Sequence, residues 1–245
     1  MVAGKVALIT GASRGIGLGI ARELARSGAM VAITARKPDQ LADAVQRLGV
    51  GDRAIGIAGN TGDSKHRRDA VAEVVERFGS IDLLVNNAGI NPQYGPLVDA
   101  DLGAVSKIME YNVVAPLGWV QEAWRQWMAG HGGVVLNIAS VGGIRAGSPI
   151  GAYNASKAAL IHLTRQLAIE LAPGVRVNAI APAVVKTQFA RALYEDREEE
   201  VAATYPLGRL GHIEDTATLG RFLLSGEASW ITGQTVVVDG GLSVK

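Results

Sequence analysis

Three side chains that can handle a proton lie close together in the segment SVGGIRAGSPIGAYNASKAAL, residues 140 to 160. Tyr153 and Lys157 are four residues apart, so a helix projects them from one face with Cβ atoms about 5 to 6 Å apart. A free phenol has a pKa near ~10, but a neighbouring ammonium favours the phenolate and lowers that pKa. Ser140 ends the predicted strand GVVLNIAS, where its hydroxyl can hydrogen-bond a substrate oxygen. The pattern predicts an acid–base site in which Tyr153 protonates a forming alkoxide.

Each of these residues also has an ordinary structural explanation when it is taken alone. A serine after a strand is commonly a cap or turn residue, and a Tyr-x-x-x-Lys pair is commonly one face of an amphipathic helix. The combination, downstream of a glycine-rich turn, is what indicates chemistry.

Asn112 is a fourth candidate, in a segment that otherwise predicts a long helix from about residue 102 to residue 128. Pro116 has no N–H, so the Asn112 carbonyl loses its usual helical partner. That carbonyl either holds a water molecule in a proton route through Lys157 to Tyr153, or it belongs to an inert solvated kink. The sequence leaves both interpretations open.

The elements that must position these residues are short β-branched runs alternating with amphipathic segments of helical length. The predicted strands are 6–10, 30–34, 53–57, 81–85, 133–138, 175–180 and 235–238, and the predicted helices include 17–27, 41–48, 65–78 and 152–172. Nearly continuous apolar strands are typical of a parallel sheet covered on both faces. We therefore expect one α/β domain over residues 1–245, a doubly wound Rossmann fold whose seven-stranded parallel sheet is flanked by helices on both faces.

Composition excludes several classes of protein. The chain has 24 basic and 23 acidic residues without a basic stripe, which argues against nucleic acid as a partner. It has no cysteine, and its four histidines lack metal-ligand spacing, so we expect no metal site. No apolar stretch approaches the ~20 residues of a membrane helix. We expect a soluble, cytoplasmic protein with a small-molecule substrate.

A glycine-rich turn, TGASRGIG, follows the first predicted strand and opens a helix. Glycines at such a turn let the backbone approach a pyrophosphate, and the helix N-terminus supplies free N–H groups. The spacing is G-x-x-x-G-x-G, and an ordinary tight turn is the alternative explanation. The position between strand and helix favours a dinucleotide site.

Two arginines indicate which dinucleotide. An acidic residue after the second strand would bind the ribose 2′-hydroxyl of NAD, but Ala35 and Arg36 stand there instead. Arg36, with Arg14 of the glycine-rich turn, can pair with a 2′-phosphate. Two solvated surface arginines are the alternative, and the absence of a competing carboxylate favours NADP(H) over NAD(H).

With these residues assembled, the chain resembles the short-chain dehydrogenase/reductase family over essentially its whole length. The matching motifs are TGASRGIG (10–17), NNAG (86–89), Asn112, Ser140, YNASK (153–157), residues 182–187 and ITGQTVVVDGG (231–241). Within the family, it is most similar to the 3-oxoacyl-[acyl-carrier-protein] reductases.

The resemblance implies hydride transfer between C4 of a nicotinamide and a carbonyl or carbinol carbon. Tyr153 would be the general acid, Ser140 would orient the carbonyl oxygen, Lys157 would anchor the ribose, and Asn112 would complete a proton relay. Asn86, Ala88 and Gly89 would pack along the adenosine and support the sheet.

The resemblance also implies a set of binding residues. The cofactor would contact Gly11, Ser13, Arg14, Gly15, Ile16, Gly17, Arg36, Asn60, Thr61, Asn87, Ala88, Gly89, Tyr153, Lys157, Pro182, Val185 and Thr187. Ser140, Val141, Tyr94, Ala183 and Phe189 would line the substrate pocket, under a lid of approximately residues 187–212. Asn60 and Ala183 depart from the aspartate and glycine usual in the family.

Several functions fit this pattern. A reductase of 3-oxoacyl thioesters or other ketones is the first, and a secondary-alcohol dehydrogenase preferring NAD is an alternative. A non-catalytic nucleotide-binding sensor or scaffold would not require all four catalytic residues, and an isomerase or dehydratase would use the same cofactor pocket. The family's mode of association implies a homotetramer.

Overall fold

The computed structural model describes residues 1–147 and 149–245. The strands are β1 Val6–Thr10, β2 Met30–Ala35, β3 Ala54–Ala58, β4 Leu83–Asn86, β5 Gly133–Ile138, β6 Val175–Pro182 and β7 Thr235–Val238. The helices are α1 Gly15–Arg26, α2 Pro38–Leu48, α3 Ser64–Phe78, α4 Leu102–Met109, α5 Ala115–Ala123, α6 Ala129–His131, α7 Gly151–Glu170, α8 Glu198–Ala203 and α9 Ile213–Leu224.

The strands form one parallel sheet in the order β3-β2-β1-β4-β5-β6-β7. The order reverses between β1 and β4, which are paired through Ile9 and Val85 near their carboxyl ends. In such a sheet the crevice beyond the carboxyl ends at this switch point is where ligands bind. The predicted fold class is confirmed, and the predicted strand bounds shift by one or two residues.

Alternate side chains of β1 pack on opposite faces of the sheet. Ala7 and Ile9 belong to a core shared with α1, α2 and α9, whereas Val6 and Leu8 belong to a core shared with α3, α5 and α7. Because both faces are covered, β1 has no polar face, which is why its sequence is a continuous apolar run.

The helical segment that carries Asn112 is not one regular helix, contrary to the sequence prediction. It continues past residue 128 to His131, and residues Glu110–Val114 and Trp124–Met128 are π-helical. At the first of these segments, the Ala115 N–H donates to the Glu110 carbonyl five residues earlier. Pro116 explains the change because a residue without an N–H cannot continue the ordinary pattern.

Among the residues that the structure describes, no helix is long and apolar enough to cross a membrane.

Candidate active site

The turn between β1 and α1 is built for close approach by a ligand. Arg14 precedes α1 in an extended conformation, and no side chain caps the first turn of this helix. The first N–H groups of α1 are therefore open to an anion. A Cβ atom on Gly11, which has φ +63°, would lie 2.8 Å from the Ala88 Cα, so only glycine fits there. The cradle fits the pyrophosphate of a dinucleotide.

Thr10 joins this turn to the NNAG segment after β4. Its buried hydroxyl accepts hydrogen bonds from the N–H groups of Asn87 and Ala88, both at 3.1 Å, and donates to the Val85 carbonyl at 3.3 Å. The Asn87 amide donates to the Thr10 and Gly11 carbonyls at 2.9 and 3.0 Å. Asn87 therefore shapes the cradle with its side chain.

Asn86 does not line the cofactor crevice as the resemblance implied. Its side chain is buried within the sheet layer and donates to Asn137 Oδ1 at 2.9 Å and to the Pro116 carbonyl at 3.3 Å. This geometry fits the expected role of Asn86 in supporting the sheet, but it does not fit contact with the adenosine.

Arginines gather at the outer end of the cradle. Arg14 and Arg36 are exposed there, and Arg14 Nη1 lies 3.4 Å from Gln40 Oε1. Sequence reasoning missed a third, Arg47 of α2, which donates to the Ser13 carbonyl at 3.2 Å. Nothing in the sequence indicates that Arg47, which lies in α2, approaches the glycine-rich turn. Its positive charge adds to those of Arg14 and Arg36. The three guanidinium groups make this end favourable for a phosphate.

The departure at Asn60 has a visible consequence. The Asn60 amide donates to the Tyr111 hydroxyl at 2.9 Å, and its oxygen accepts from the Gly62 N–H at 3.1 Å. The neighbouring Thr61 accepts a hydrogen bond from Trp119 Nε1 at 2.7 Å, and its carbonyl accepts one from Arg67 at 2.9 Å. Thr61 thus turns its hydroxyl toward the core, and any contact with a cofactor would come from its backbone.

The proton-handling residues come together as predicted. Lys157 is buried, donates to the Ile138 carbonyl at 2.7 Å, and lies 5.5 Å from the centroid of the Tyr153 ring. A Cβ atom on Gly89 would lie 3.2 Å from Asn112 Oδ1 and 3.6 Å from Lys157 Nζ, so both side chains approach the same point of the main chain.

The side chain of Asn112, rather than only its carbonyl, makes defined contacts. Its oxygen accepts from the Ile90 N–H at 2.9 Å, and its amide donates to the Ile90 carbonyl and the Ser156 hydroxyl, both at 3.0 Å. The residue is fully buried. These bonds lock the π-helical segment against α7, and Ser156 is a partner that sequence reasoning missed.

Burial outweighs the expected effect of Lys157 on Tyr153. Desolvation raises the pKa of Tyr153 to about 12, while its hydrogen bond with Ser140 acts in the opposite direction. Burial also lowers the pKa of Lys157 to about 8. The expectation that the ammonium lowers the pKa of the phenol is therefore corrected: burial determines the direction, and Lys157, which donates to the Ile138 carbonyl, does not lower the pKa of Tyr153. A phenol with this pKa stays protonated at neutral pH and is a weaker acid than free tyrosine, so it gives its proton only to a stronger base such as an alkoxide.

A cavity of about 350 Å³ opens beside Tyr153, a volume within the usual range of small-molecule pockets. It is lined by all five predicted substrate-pocket residues, Tyr94, Ser140, Val141, Ala183 and Phe189. The Phe189 and Tyr153 ring centroids are 6.0 Å apart. The cavity therefore places apolar surface around the phenol of Tyr153.

The cofactor side of the same cavity contains Ile16, Pro182, Val185 and Thr187. A Cβ atom on Gly15 would lie 3.5 Å from Thr187 Cγ2, so the segment after β6 meets the start of α1. The two regions that the resemblance assigned to the nicotinamide and the pyrophosphate are adjacent.

The departure at Ala183 is accommodated without strain. No described residue other than glycine has a positive φ, so Ala183 adopts a backbone conformation open to any side chain. Its N–H donates to the Val238 carbonyl at 3.0 Å.

The predicted lid is partly helical, and Thr187 at its start and Ile213 just after its end both lie against α1. It contains α8 and the short turn Arg191–Leu193, and Phe189, Ala190, Leu193 and Tyr205 reach the cavity. At its far end Ile213 begins α9, and a Cβ atom on Gly19 of α1 would lie 2.3 Å from Ile213 Cγ2. Of the acidic run, Glu198 pairs with Lys186, and Glu199 and Glu200 are exposed.

The histidines form no metal site. Among residues 1–147 and 149–245, no group of three or more histidine, aspartate, glutamate or cysteine side chains has a geometry that could hold a metal ion. His131 stacks on Trp127 with ring centroids 3.8 Å apart, and His66 meets Trp119 edge to face at 5.6 Å. Trp119 is a core residue, and Trp124 and Trp127 are partly exposed.

Known proteins are similar to the chain along nearly its full length. A family model described as enoyl-(acyl carrier protein) reductase matches residues 11–243. Human dehydrogenase/reductase SDR family member 4 is 41% identical over 98% of this chain and 88% of that protein. Tropinone reductase-like 3 of Erythroxylum coca is 39% identical over 97% of this chain and 93% of that protein.

Solved structures agree with this similarity. A blue fluorescent protein from a metagenomic library, in complex with NADPH, has a TM-score of 0.91 and 36% identity, covering 99% of both chains. A short-chain type dehydrogenase/reductase from Mycobacterium marinum has a TM-score of 0.94 and 34% identity, covering 100% of this chain and 97% of that one.

Proposed function

Because the chain belongs to the short-chain dehydrogenase/reductase family, we propose that it is an NADP(H)-dependent oxidoreductase acting on ketones and secondary alcohols. The single observation that carries the proposal is the shared cavity, in which Ser140 and the protonated Tyr153 face the segment after β6, next to the open N-terminus of α1. The acid Tyr153, the oxygen-orienting hydroxyl of Ser140 and the nucleotide cradle therefore lie next to one another.

The residues of the cradle and of the segment after β6 would hold NADP(H), which would supply or accept a hydride at C4 of its nicotinamide. In the direction of reduction, the Ser140 hydroxyl donates to the carbonyl oxygen and holds it near the phenol of Tyr153. Tyr153 then gives its proton to the alkoxide, which is a stronger base than the phenolate even when burial raises the pKa of Tyr153 to about 12. The ammonium of Lys157 returns a proton toward Tyr153. Asn112, which approaches the main chain at Gly89 beside Lys157, holds the surrounding segment in place through its bonds to Ile90 and Ser156.

Preference for NADP(H) over NAD(H) is supported by the arginines at the outer end of the cradle. Arg14 and Arg36 are exposed beside the turn, and Arg47 adds a third positive charge. A guanidinium binds a phosphate with charge-assisted bonds that a ribose hydroxyl cannot form. The NADPH complex of the similar metagenomic protein is consistent with this preference.

Within this class, we propose a ketone reductase, with 3-oxoacyl thioesters as one substrate type. Apolar side chains such as Val141, Phe189 and Leu193 dominate the cavity and suit a carbonyl compound with a hydrocarbon body. The name of the plant relative, tropinone reductase-like 3, is consistent with ketone reduction. A secondary-alcohol dehydrogenase preferring NAD is the second candidate.

The test is Tyr153→Phe, with Tyr94→Phe as the matched control because Tyr94 is another phenol of the same cavity. We expect reduction of acetoacetyl thioesters and cyclic ketones, followed by NADPH absorbance, to fall by roughly 10²- to 10⁴-fold in Tyr153→Phe. The dissociation constant for NADPH should stay near that of the wild type. Unchanged turnover in Tyr153→Phe would contradict the role of the phenol, and absence of NADPH binding in the wild type would contradict the cofactor assignment.

We also propose that the protein assembles as a homotetramer. Large apolar side chains stand exposed on the outer faces, with Trp230 99%, Leu102 79% and Ile169 76% accessible in the single chain. Apolar side chains this exposed gain most by association. Light scattering of the wild type and of Trp230→Ser tests the proposal, and a monomeric wild type at micromolar concentration would contradict it.

A further inference from the structure

One charged side chain lines the cavity beside Tyr153. We propose that Arg145 binds a carboxylate of the substrate, so that the preferred substrates are ketones or secondary alcohols that also carry a carboxylate. This inference rests on the proposed function and narrows it from ketones in general, thioesters included, to oxo acids and hydroxy acids.

The backbone fixes Arg145 relative to Ser140. The Gly143 N–H donates to the Ser140 carbonyl at 2.9 Å, and the N–H groups of Ile144 and Arg145 both donate to the Val141 carbonyl at 2.9 Å. Arg145 thus follows directly from the turn that carries the carbonyl-orienting serine. A substrate held by Ser140 at one end is within the same cavity as the guanidinium.

The charge of Arg145 is not neutralised by the protein. One N–H of its guanidinium donates to the Leu242 carbonyl at 2.6 Å, and no carboxylate of the described residues lies within 4.0 Å of the group. Asp239, three residues before Leu242, already accepts from the N–H groups of Gly241 and Ser243 at 2.9 and 2.6 Å. The guanidinium has five N–H donors, so others remain for a ligand.

The other described residues that line the cavity are uncharged. Its other described lining residues are apolar or neutral, including Asn91, Tyr94 and Asn154, and none of them is acidic or basic. A single cation at the edge of an apolar cavity favours a ligand with one negative group and a hydrocarbon body. Contact with Leu242 alone would need only one neutral donor, whereas Arg145 supplies a planar fork suited to a carboxylate.

The experiment compares each oxo acid with its neutral amide in a series from acetoacetate and acetoacetamide to 6-oxoheptanoate and 6-oxoheptanamide. The variants are Arg145→Gln, Arg145→Lys and the control Arg165→Gln, which removes an exposed arginine of α7 outside the cavity. We expect the wild type to favour at least one acid over its amide by roughly 10- to 100-fold in kcat/KM, mainly through KM.

Arg145→Gln should abolish this preference and leave the amides unchanged, Arg145→Lys should keep part of it, and Arg165→Gln should keep all of it. No discrimination by the wild type at any chain length would overturn the inference. Equal losses for acids and amides in Arg145→Gln would also overturn it, because they would mean that Arg145 only holds the segment around Leu242.

Failure of the proposed function gives a different result. If no carbonyl compound is reduced, the comparison is made by calorimetric binding of the same acids and amides to the NADP⁺-loaded protein. Loss of acid binding in Arg145→Gln but not in Arg165→Gln would then support the carboxylate site without the reaction. Equal binding of acids and amides by the wild type would reject the site.

Discussion

Replacing Thr10 by valine tests whether one hydroxyl holds the two halves of the nucleotide cradle together. The hydroxyl accepts from the N–H groups of Asn87 and Ala88, and it is buried at the switch point of the sheet. Valine has the same shape, so the change removes these bonds without leaving a cavity. Both main-chain N–H groups, which are partly buried, then lose their acceptor.

The expected magnitude follows from that count. An orphaned buried donor costs about 1 to 3 kcal/mol, so two cost about 2 to 6 kcal/mol, and the added methyl surface returns about 1 kcal/mol. We expect Thr10→Val to lower the free energy of unfolding by about 1 to 5 kcal/mol, a large share of the usual total. Thr10→Ser keeps the hydroxyl and should lose only about 1 kcal/mol.

Thr34 provides a matched control. It is the direct neighbour of Thr10 in β2 and equally buried, and no hydrogen bond of its hydroxyl is seen among the described residues. Thr34→Val should therefore change stability little. The assay is urea unfolding followed by tryptophan fluorescence, together with the NADPH dissociation constant. A Thr10→Val protein within about 0.5 kcal/mol of Thr34→Val would refute the reasoning, since the orphaned donors would then cost nothing.

Three further predictions concern charge and backbone. Arg36→Asp should weaken NADPH binding roughly 10- to 100-fold more than NADH binding, and the exposed Arg77→Asp should affect neither; equal losses for both cofactors would contradict the 2′-phosphate contact. Burial lowers the pKa of Lys157 from 10.5 to about 8, so its contribution to folding is present above pH 10.5 and is lost as the pH falls through 8. As the pH is lowered from 10.5 to 7.5, the free energy of unfolding of Lys157→Met should therefore rise relative to that of the wild type. A fall of this difference over the same pH range would contradict the prediction. Gly11→Ala and Gly4→Ala both place alanine at positive φ, which costs about 1 to 2 kcal/mol of stability each. A Cβ atom at Gly11 would lie 2.8 Å from a main-chain atom, whereas Gly4 has open space around it. Fluorescence titration should therefore show weaker NADPH binding only for Gly11→Ala, and equal binding by both variants would contradict the close approach.

The sheet could be predicted from the sequence because its signal is local. Each strand is a short apolar run, and β1 needs apolar side chains on both faces because two separate cores cover it. The cradle was equally accessible, since Gly11 and Gly15 stand between a strand and a helix, a position that favours a dinucleotide site over an ordinary tight turn. Tyr153 and Lys157 could be paired because helical spacing alone brings them to one face.

Other parts of the site depend on contacts between segments that the sequence does not connect. Arg47 reaches the Ser13 carbonyl across 34 positions of the chain, and Ser156 meets Asn112 across 44. The pKa of Tyr153 was misjudged for the same reason: proximity to Lys157 is visible in the spacing, but the burial that dominates the pKa is not.

Arg145 is a candidate binding residue that could not be identified from the sequence. It lies five residues after Ser140, yet nothing in the sequence says that this exposed residue lines the edge of the cavity. Only the folded chain shows that the residues around it are uncharged.

Gly15 and Gly19 of α1 lie against Thr187 and Ile213, so the segment between those two residues, which covers the cavity, begins and ends beside the same helix. A side chain larger than glycine at Gly19 would push Ile213 away from α1 and with it the end of the segment that covers the cavity. The close packing along α1 therefore fixes where the cover lies.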